Sequence, residues 1–259
     1  MQALTRQFGT FTAVDHITLE VATGVIFGLL GPNGAGKTTT IKMLTTLLEP
    51  TSGAAAVAGF DVVRQAGEVR RRIGYVPQVL SADGSLTGYE NLLISSKLYG
   101  VPRAARSARI AEALEFMGLT EAAGNLVRSY SGGMIRRLEI AQGLLHRPLV
   151  LFLDEPTVGL DPVARRAVWS HIRELRSLWG TTIVLTTHYM EEADELCDGV
   201  AIMHHGEVVA DDAPAVLKAA AGNGATLEDV FVHFTGSEIQ EGGTYRDAVR
   251  TRRTARRLG

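Results

Sequence analysis

Two stretches of the chain carry residue types that handle phosphate and metal. Gly31-Pro32-Asn33-Gly34-Ala35-Gly36-Lys37-Thr38 fits the pattern G-x-x-x-x-G-K-[ST]. Glycines in such a loop let successive backbone N–H groups turn toward phosphate oxygens with no Cβ in the way. The helix that should start after it, at Lys37, Thr38 and Thr39, adds a favourable dipole for an anion. Lys37 would pair with the β- and γ-phosphates of a nucleoside triphosphate, and Thr38 would place its hydroxyl on Mg²⁺. About 115 residues on, Leu149-Val150-Leu151-Phe152-Leu153-Asp154-Glu155 is an apolar run ending in two acids. Phosphoryl transfer needs a carboxylate near the metal and a group that orients the attacking water. Asp154 suits the metal role and Glu155 the water. Either stretch alone has a plain reading, a solvated glycine turn or an acidic helix start. Together, in this order, they point to phosphoryl chemistry.

Those residues must be positioned by the elements around them. Residues 21–30 are apolar, β-branched and bounded by glycines, which predicts a strand leading into the loop. Residues 37–48 follow with helical periodicity. The small-residue stretch 51–59 reads as a strand and turn. Thr87 and Glu90 stand at capping-box spacing and predict a helix over 88–99. Helices are expected over 104–117, closed by Gly118, and over 133–146. Residues 149–153 form a continuous apolar strand of the kind buried on both faces of a parallel sheet. Asp161 and Pro162 start a helix to about residue 178, as N-cap and first helical position. A second buried strand is expected at 181–186, a helix at 191–196, and a hairpin from 200–203 and 207–210 around His204-His205-Gly206. Alternating strands and helices indicate an α/β fold with a mainly parallel sheet.

Composition narrows the class. The 259 residues are 46% apolar and 21% charged, ordinary for a globular chain that buries its own core. No apolar run reaches the roughly 18 residues of a membrane span, and residues 1–10 lack the apolar core of a signal peptide. The net charge of −2 argues against a general nucleic-acid binder. Residues 244–259 hold six Arg and one Asp, leaving −7 on residues 1–243. The single cysteine, Cys197, excludes an intramolecular disulfide and fits a reducing setting. It is expected to be a small buried residue, and His204 and His205 to be exposed.

Further motifs are shared with ABC-type ATPases. Ser131-Gly132-Gly133-Met134 resembles their signature loop, and Gln78 in Tyr75-Val76-Pro77-Gln78 their Q-loop. Gly159-Leu160-Asp161 resembles the D-loop. His188 after Thr186-Thr187 resembles the switch histidine. Phe8, ahead of Ala13-Val14-Asp15, resembles the aromatic that stacks on adenine. The set appears in family order and covers nearly the whole chain.

The resemblance implies a P-loop NTPase of the ABC nucleotide-binding type. Its mainly parallel core would carry an antiparallel β subdomain and a helical subdomain at about 79–147. The ATP-binding domain would span 1–219, a C-terminal docking segment 220–243, and a basic, disordered tail 244–259. ATP and Mg²⁺ would be the cofactors, with Gln78 joining Thr38 and Asp154 at the metal and His188 sensing the γ-phosphate beside Glu155. Two copies would pair head to tail, so that Ser131, Gly132 and Gly133 meet the nucleotide held by the other copy. Residues 79–99 resemble the region that meets a separately encoded multi-span permease, which places the chain peripherally on the cytoplasmic membrane face.

Met134, where glutamine is frequent, resembles the ABC-2-type exporters, including daunorubicin-resistance-like drug efflux ATPases. The segment 226–236 resembles a C-terminal motif of that branch and also reads as a docking amphipathic helix. Tyr130 stands where leucine usually precedes the serine, and Val158 replaces a small or polar D-loop residue. Family members usually have several more residues before Ala3-Leu4-Thr5, so a clipped first strand or misassigned start is expected. The arginine-rich end reads as a solvated tail, with attraction to anionic lipid headgroups as the rival, worth about 1 kcal/mol per Arg. The alternative class is a soluble ABC ATPase acting on ribosomes or DNA. Translation-factor types carry two cassettes and DNA-repair types long coiled-coil or zinc insertions, and neither pattern is present in this sequence. A small-molecule kinase shares the phosphate loop but has no use for the signature loop.

Overall fold

The computed structural model describes residues 1–236. The strands are β1 (Gln2–Phe8), β2 (Phe11–Ile17), β3 (Ile26–Leu30), β4 (Ser52–Ala54), β5 (Ala56–Val57), β6 (Phe60–Asp61), β7 (Ile73–Val76), β8 (Val150–Asp154), β9 (Thr182–Thr187), β10 (Gly199–His204) and β11 (Glu207–Asp212). The helices are α1 (Lys37–Leu44), α2 (Ala66–Arg70), α3 (Gly88–Leu98), α4 (Arg103–Phe116), α5 (Gly132–Leu144), α6 (Pro162–Trp179), α7 (Met190–Leu196), α8 (Pro214–Ala221) and α9 (Leu227–Thr235).

Six strands form the central sheet in the order β11-β10-β3-β9-β8-β7. All neighbours are parallel except the β10–β11 hairpin. The core strands alternate faces. Ile26, Leu30, Leu151, Leu153, Ile183, Leu185, Val200 and Ile202 pack toward the helical layer. Phe27, Leu29, Phe152, Val184, Ala201 and Met203 pack toward α1 and the β1–β2 hairpin, against Leu4, Val14 and Ile41. Both faces are therefore apolar, and the strands read as continuous hydrophobic runs. Helix α6 buries Val168, Ile172 and Leu175, one stripe at helical spacing.

Register sets up the site. Leu30 pairs with Thr187 and Asp154 with Thr186. The residues after β3, β8 and β9, namely Gly31, Glu155 and His188, thus leave the same edge of the sheet side by side. Ligands of open α/β sheets bind at these carboxyl ends.

Several elements differ from expectation. The first core strand starts at Ile26 rather than residue 21, because Gly24 turns the chain at φ +73. Helix α1 stops at Leu44, short of 48. Thr45 donates its hydroxyl back to the Ile41 carbonyl at 2.8 Å, Thr46 adopts φ +63, and Leu47 N–H closes on the Lys42 carbonyl. Such hydroxyl-to-backbone bonds compete with helix continuation. Strands β1 and β2 form a hairpin whose pairing shifts register between Leu4 and Gln7, which breaks the period-2 pattern that would have marked it. His204 is half-buried against Phe231 of α9, edge-on at 5.8 Å, rather than exposed like His205. Cys197 is buried at the end of α7. Helix α9 begins with a Thr226–Asp229 capping box and buries Leu227, Val230 and Phe231. The arginine-rich stretch 244–259 lies outside the described residues.

Candidate functional site

The phosphate loop joins β3 to α1. A Cβ at Gly31 (φ +151) would stand 2.2 Å from the Met203 carbonyl oxygen. A Cβ at Gly36 (φ +103) would stand 2.6 Å from that of Ala13. Only glycine fits both the dihedral and the close approach of β2 and β10. The loop curls tightly, with Ala35 N–H donating to the Pro32 carbonyl. Lys37 is buried, and its Nζ donates to the Gly31 and Pro32 carbonyls at 2.7 and 3.0 Å. Burial pulls its pKa below the ordinary lysine value, against the upward pull of Glu155 and Asp154.

A cleft beside the loop is lined by Asn33, Gly34, Ala35, Gly36, Lys37, Thr38 and Thr39, by Gln78 and Glu155, and by Phe8, Phe11 and Ala13 at its rim. Phe8 and Phe11 face each other across the hairpin and are 46% and 62% exposed. The Arg6 guanidinium stands 4.6 Å from the centre of the Phe8 ring, and the exposed ring surface that remains at the mouth of the phosphate cleft can take a planar heterocycle.

Two linked clusters sit at the carboxyl edge of the sheet. Thr38 Oγ1 donates to Asp154 Oδ1 at 3.0 Å, and Thr186 Oγ1 donates to the same oxygen at 2.6 Å. Glu155, at φ +48, turns its carboxylate toward the loop. Gln78 Nε2 donates to its Oε2 at 2.8 Å, while His188 Nδ1 and Lys37 Nζ lie 3.3 and 3.6 Å from Oε1. Burial raises the Glu155 pKa, but His188 and Lys37 outweigh it and hold the carboxyl below its usual range. The group is a buried, ionised carboxylate with His188 and Lys37 at one oxygen and Gln78 at the other.

The oxygen donors fit a hard cation completed by its substrate. No group of three or more His, Cys, Asp or Glu could hold a metal among the described residues. Mg²⁺ keeps several waters and usually binds through one or two carboxylates plus substrate phosphates. The Thr38 hydroxyl and Asp154 carboxylate, 3.0 Å apart, provide such a partial set.

The structure does not bring the remaining sequence-derived residues into this cleft. Ser131 caps α5, its Oγ accepting from Met134 N–H at 3.2 Å, and it is exposed together with Gly132. Asp161 caps α6, accepting from Val163 and Ala164 N–H, each at 2.9 Å, and is exposed. The two turns adjoin: a Cβ at Gly132 would meet Leu160 at 3.7 Å, and one at Gly133 would meet Ala164 at 2.8 Å.

Four supporting residues were missed in the sequence. Thr186 bridges the acids, donating to Asp154 and accepting Glu155 N–H at 2.9 Å. Arg136, buried inside α5, donates to the Pro77 and Gln78 carbonyls at 2.8 and 2.9 Å and so holds the Gln78 loop. Glu192 accepts from Thr157 Oγ1 at 2.7 Å and Trp169 Nε1 at 2.8 Å. Phe11 doubles the aromatic rim. The only sequence signals were Thr186 directly before Thr187-His188, and Arg136 three residues before Glu139, its ion-pair partner at 3.1 Å.

The likenesses to known proteins follow the same lines. A family model described as ABC transporter matches residues 14–158. The daunorubicin/doxorubicin resistance ATP-binding protein DrrA of Streptomyces peucetius is 46% identical over 220 residues, 85% of this chain and 66% of its own length. The doxorubicin resistance ATP-binding protein DrrA of Mycobacterium tuberculosis is 44% identical over 83% of this chain and 65% of its own. The probable multidrug ABC transporter ATP-binding protein YbhF of Escherichia coli is 42% identical over 88% of this chain and 40% of its own. The match spans less than two thirds of each of these relatives. A solved ATP-binding subunit of an ABC transporter superposes with a TM-score of 0.80 at 29% identity, over 90% of this chain and 98% of that one. In sequence and in fold, the chain belongs to the ABC transporter family, as an ABC-type ATPase domain.

Proposed function

We propose that the chain binds ATP with Mg²⁺, hydrolyses it, and thereby powers a separately encoded multi-span permease of an exporter. The observation that carries this is the Glu155 carboxylate, ionised and held between Gln78, His188 and Lys37 at the mouth of the phosphate loop. The loop glycines and Lys37 bind the phosphates, and Phe8 and Phe11 take the adenine. Thr38 and Asp154 hold the metal, with Gln78 beside them. The cation supplies charge neutralisation and alignment of the phosphates when bound. Glu155 orients the attacking water and draws its proton, and His188 keeps that carboxylate turned toward the loop.

Ser131, Gly132 and Gly133 serve a second copy. They begin a helix, are not part of this chain's own cleft lining, and two of them are exposed. A head-to-tail pair would place this helix start, a natural anion site, over the other copy's nucleotide; Asp161, on the adjoining turn, would sit at the same seam. The permease would meet Val79, Leu80, Ile94 and Leu98, which are exposed along the Gln78 loop and α3. No helix among the described residues is long and apolar enough to cross a membrane; in this reading the chain would attach peripherally to the cytoplasmic face through that apolar patch. The names of the relatives, which refer to resistance to daunorubicin and doxorubicin, support drug efflux.

Glu155→Gln keeps the shape and the Gln78 bond but removes the base. It should bind ATP normally, lose turnover by about 10²–10⁴-fold, and accumulate as an ATP-loaded dimer in size-exclusion chromatography. Ordinary turnover in that variant would refute the assignment. Pull-down from detergent-solubilised membranes should recover a multi-span protein in stoichiometric amount. Recovery of ribosomes or DNA-bound proteins alone would overturn the transporter reading and leave the ATPase chemistry.

A further inference from the structure

The tyrosine ahead of the signature serine is built into the start of α3. The Tyr130 side chain is 7% exposed, and its hydroxyl donates to the Ala122 carbonyl at 2.6 Å. It abuts Gly88, the first residue of α3. A Cβ at Gly88 would lie 2.3 Å from the Tyr130 hydroxyl oxygen and 3.2 Å from its Cζ. The ring is buried and its hydroxyl tied down, so it has no room to swing aside. Nothing else calls for glycine at 88. Its φ is not in the left-handed region, and the position is the first of a helix opened by the Thr87–Glu90 capping box, whose backbone conformation alanine adopts without strain. The backbone seconds the contact. Gly88 N–H donates to the Asn125 carbonyl at 3.2 Å, Tyr89 N–H to Ala123 at 2.9 Å and Val127 N–H to Leu86 at 2.9 Å, and Thr87 pairs with Leu126 as an isolated bridge. The start of α3 and the stretch running into Tyr130 are thus zipped into one unit. One end of that unit carries the exposed Ile94 and Leu98, and the other ends at Ser131.

We propose that Tyr130 is a positioning residue: seated against Gly88, it locks the exposed helix α3 to the Ser131 turn, so that the two move together. This rests on the reading that Ser131 serves the nucleotide held by a second copy. The lock fixes where the serine hydroxyl stands when the dimer closes, and it passes a push on Ile94 and Leu98 to that hydroxyl.

The test uses the full chain, with ATP hydrolysis measured against ATP concentration, fluorescent-nucleotide binding and thermal melting. Gly88→Ala should lower kcat by about tenfold to a hundredfold, with nucleotide affinity unchanged. Adding Tyr130→Leu should restore most of that rate, a rescue that a general helix defect does not show. Parent-like kcat in Gly88→Ala, or additive losses in the double variant, would overturn the lock. If Gly88→Ala fails to fold, Tyr130→Phe, which removes only the hydroxyl, decides: a severalfold lower kcat at unchanged affinity is expected, and an unchanged kcat overturns the proposal. Ser131→Ala is run alongside. Full-speed hydrolysis there removes the reading on which the lock rests, and the lock with it. A slow Ser131→Ala beside a full-speed Gly88→Ala removes the lock alone.

Discussion

The phosphate loop and the Ser131 turn both stand at helix starts, yet they are finished in opposite ways. In the cleft every charged group has a partner within the chain: Lys37 on two carbonyls, Asp154 on Thr38 and Thr186, Glu155 on Gln78 and His188. Around Ser131 the cap is equally well made, but Ser131 and Gly132 are exposed. A buried site is preorganised by its own sheet edge. An exposed helix start, rigid and without a cleft of its own, gains a purpose only when another surface closes over it. On the proposed reading, the difference separates residues that would bind nucleotide in a single copy from residues that would act only when two copies meet.

That separation can be broken by measurement. The largest effect should come from Lys37→Ala, which removes the loop's positive charge and leaves Glu155 buried beside one neighbour fewer. Nucleotide binding and hydrolysis should both fall, hydrolysis by about 10²–10³-fold; near-parent binding by fluorescence titration would contradict the cleft assignment. Ser131→Ala should slow hydrolysis by a smaller factor and leave single-copy nucleotide affinity unchanged. A parallel loss of affinity would mean the turn belongs to the same cleft after all. Thr186→Val keeps the shape but removes one of two hydrogen-bond partners from Asp154 Oδ1 and from the Glu155 N–H. It should cost about 1–3 kcal/mol of stability and lower kcat, read by chemical denaturation beside the ATPase assay.

The smallest effect concerns Glu192, buried behind the cleft. Burial raises its pKa in spite of the bonds from Thr187, Thr157 and Trp169. A carboxyl with a raised folded-state pKa favours the fold while protonated in both states, and that stability is lost as pH rises through the folded value. Glu192→Gln, which cannot ionise, should therefore melt progressively higher than the parent as pH rises above the ordinary carboxylate range. A constant offset across pH would contradict this. Glu155 has the opposite sign: its lowered pKa contributes stability above the ordinary carboxylate pKa, lost as pH falls through the folded value.

Legibility in the sequence followed locality. The Gly31–Thr38 loop was readable because its chemistry depends on backbone and short spacing. The apolar runs ending at Asp154 and at Thr187 were readable because both faces of their sheet are covered. The α3 and α6 starts were readable because capping is a contact within a few residues, and both caps are present. Thr186, Arg136 and Glu192 were not. Threonine in a strand reads as a β former, and buried Arg and Glu inside helices look like solvent-facing charges. The β1–β2 hairpin was hidden by its register shifts, and the end of α1 by hydroxyl bonds that a periodicity count ignores.

By itself the sequence determined which groups are available: a glycine cradle with Lys37 and Thr38, an acid pair, a histidine after a buried strand, and two capped helix starts. It also determined the α/β class, since continuous apolar strands alternating with amphipathic helices have few ways to bury their faces. Only the tertiary structure decided that Gly31, Glu155 and His188 stand abreast, because that follows from the pairing of β3, β9 and β8, strands far apart in the chain. It alone decided that Tyr130 meets Gly88, since residues over forty positions apart become neighbours only when close packing leaves no other volume for the ring.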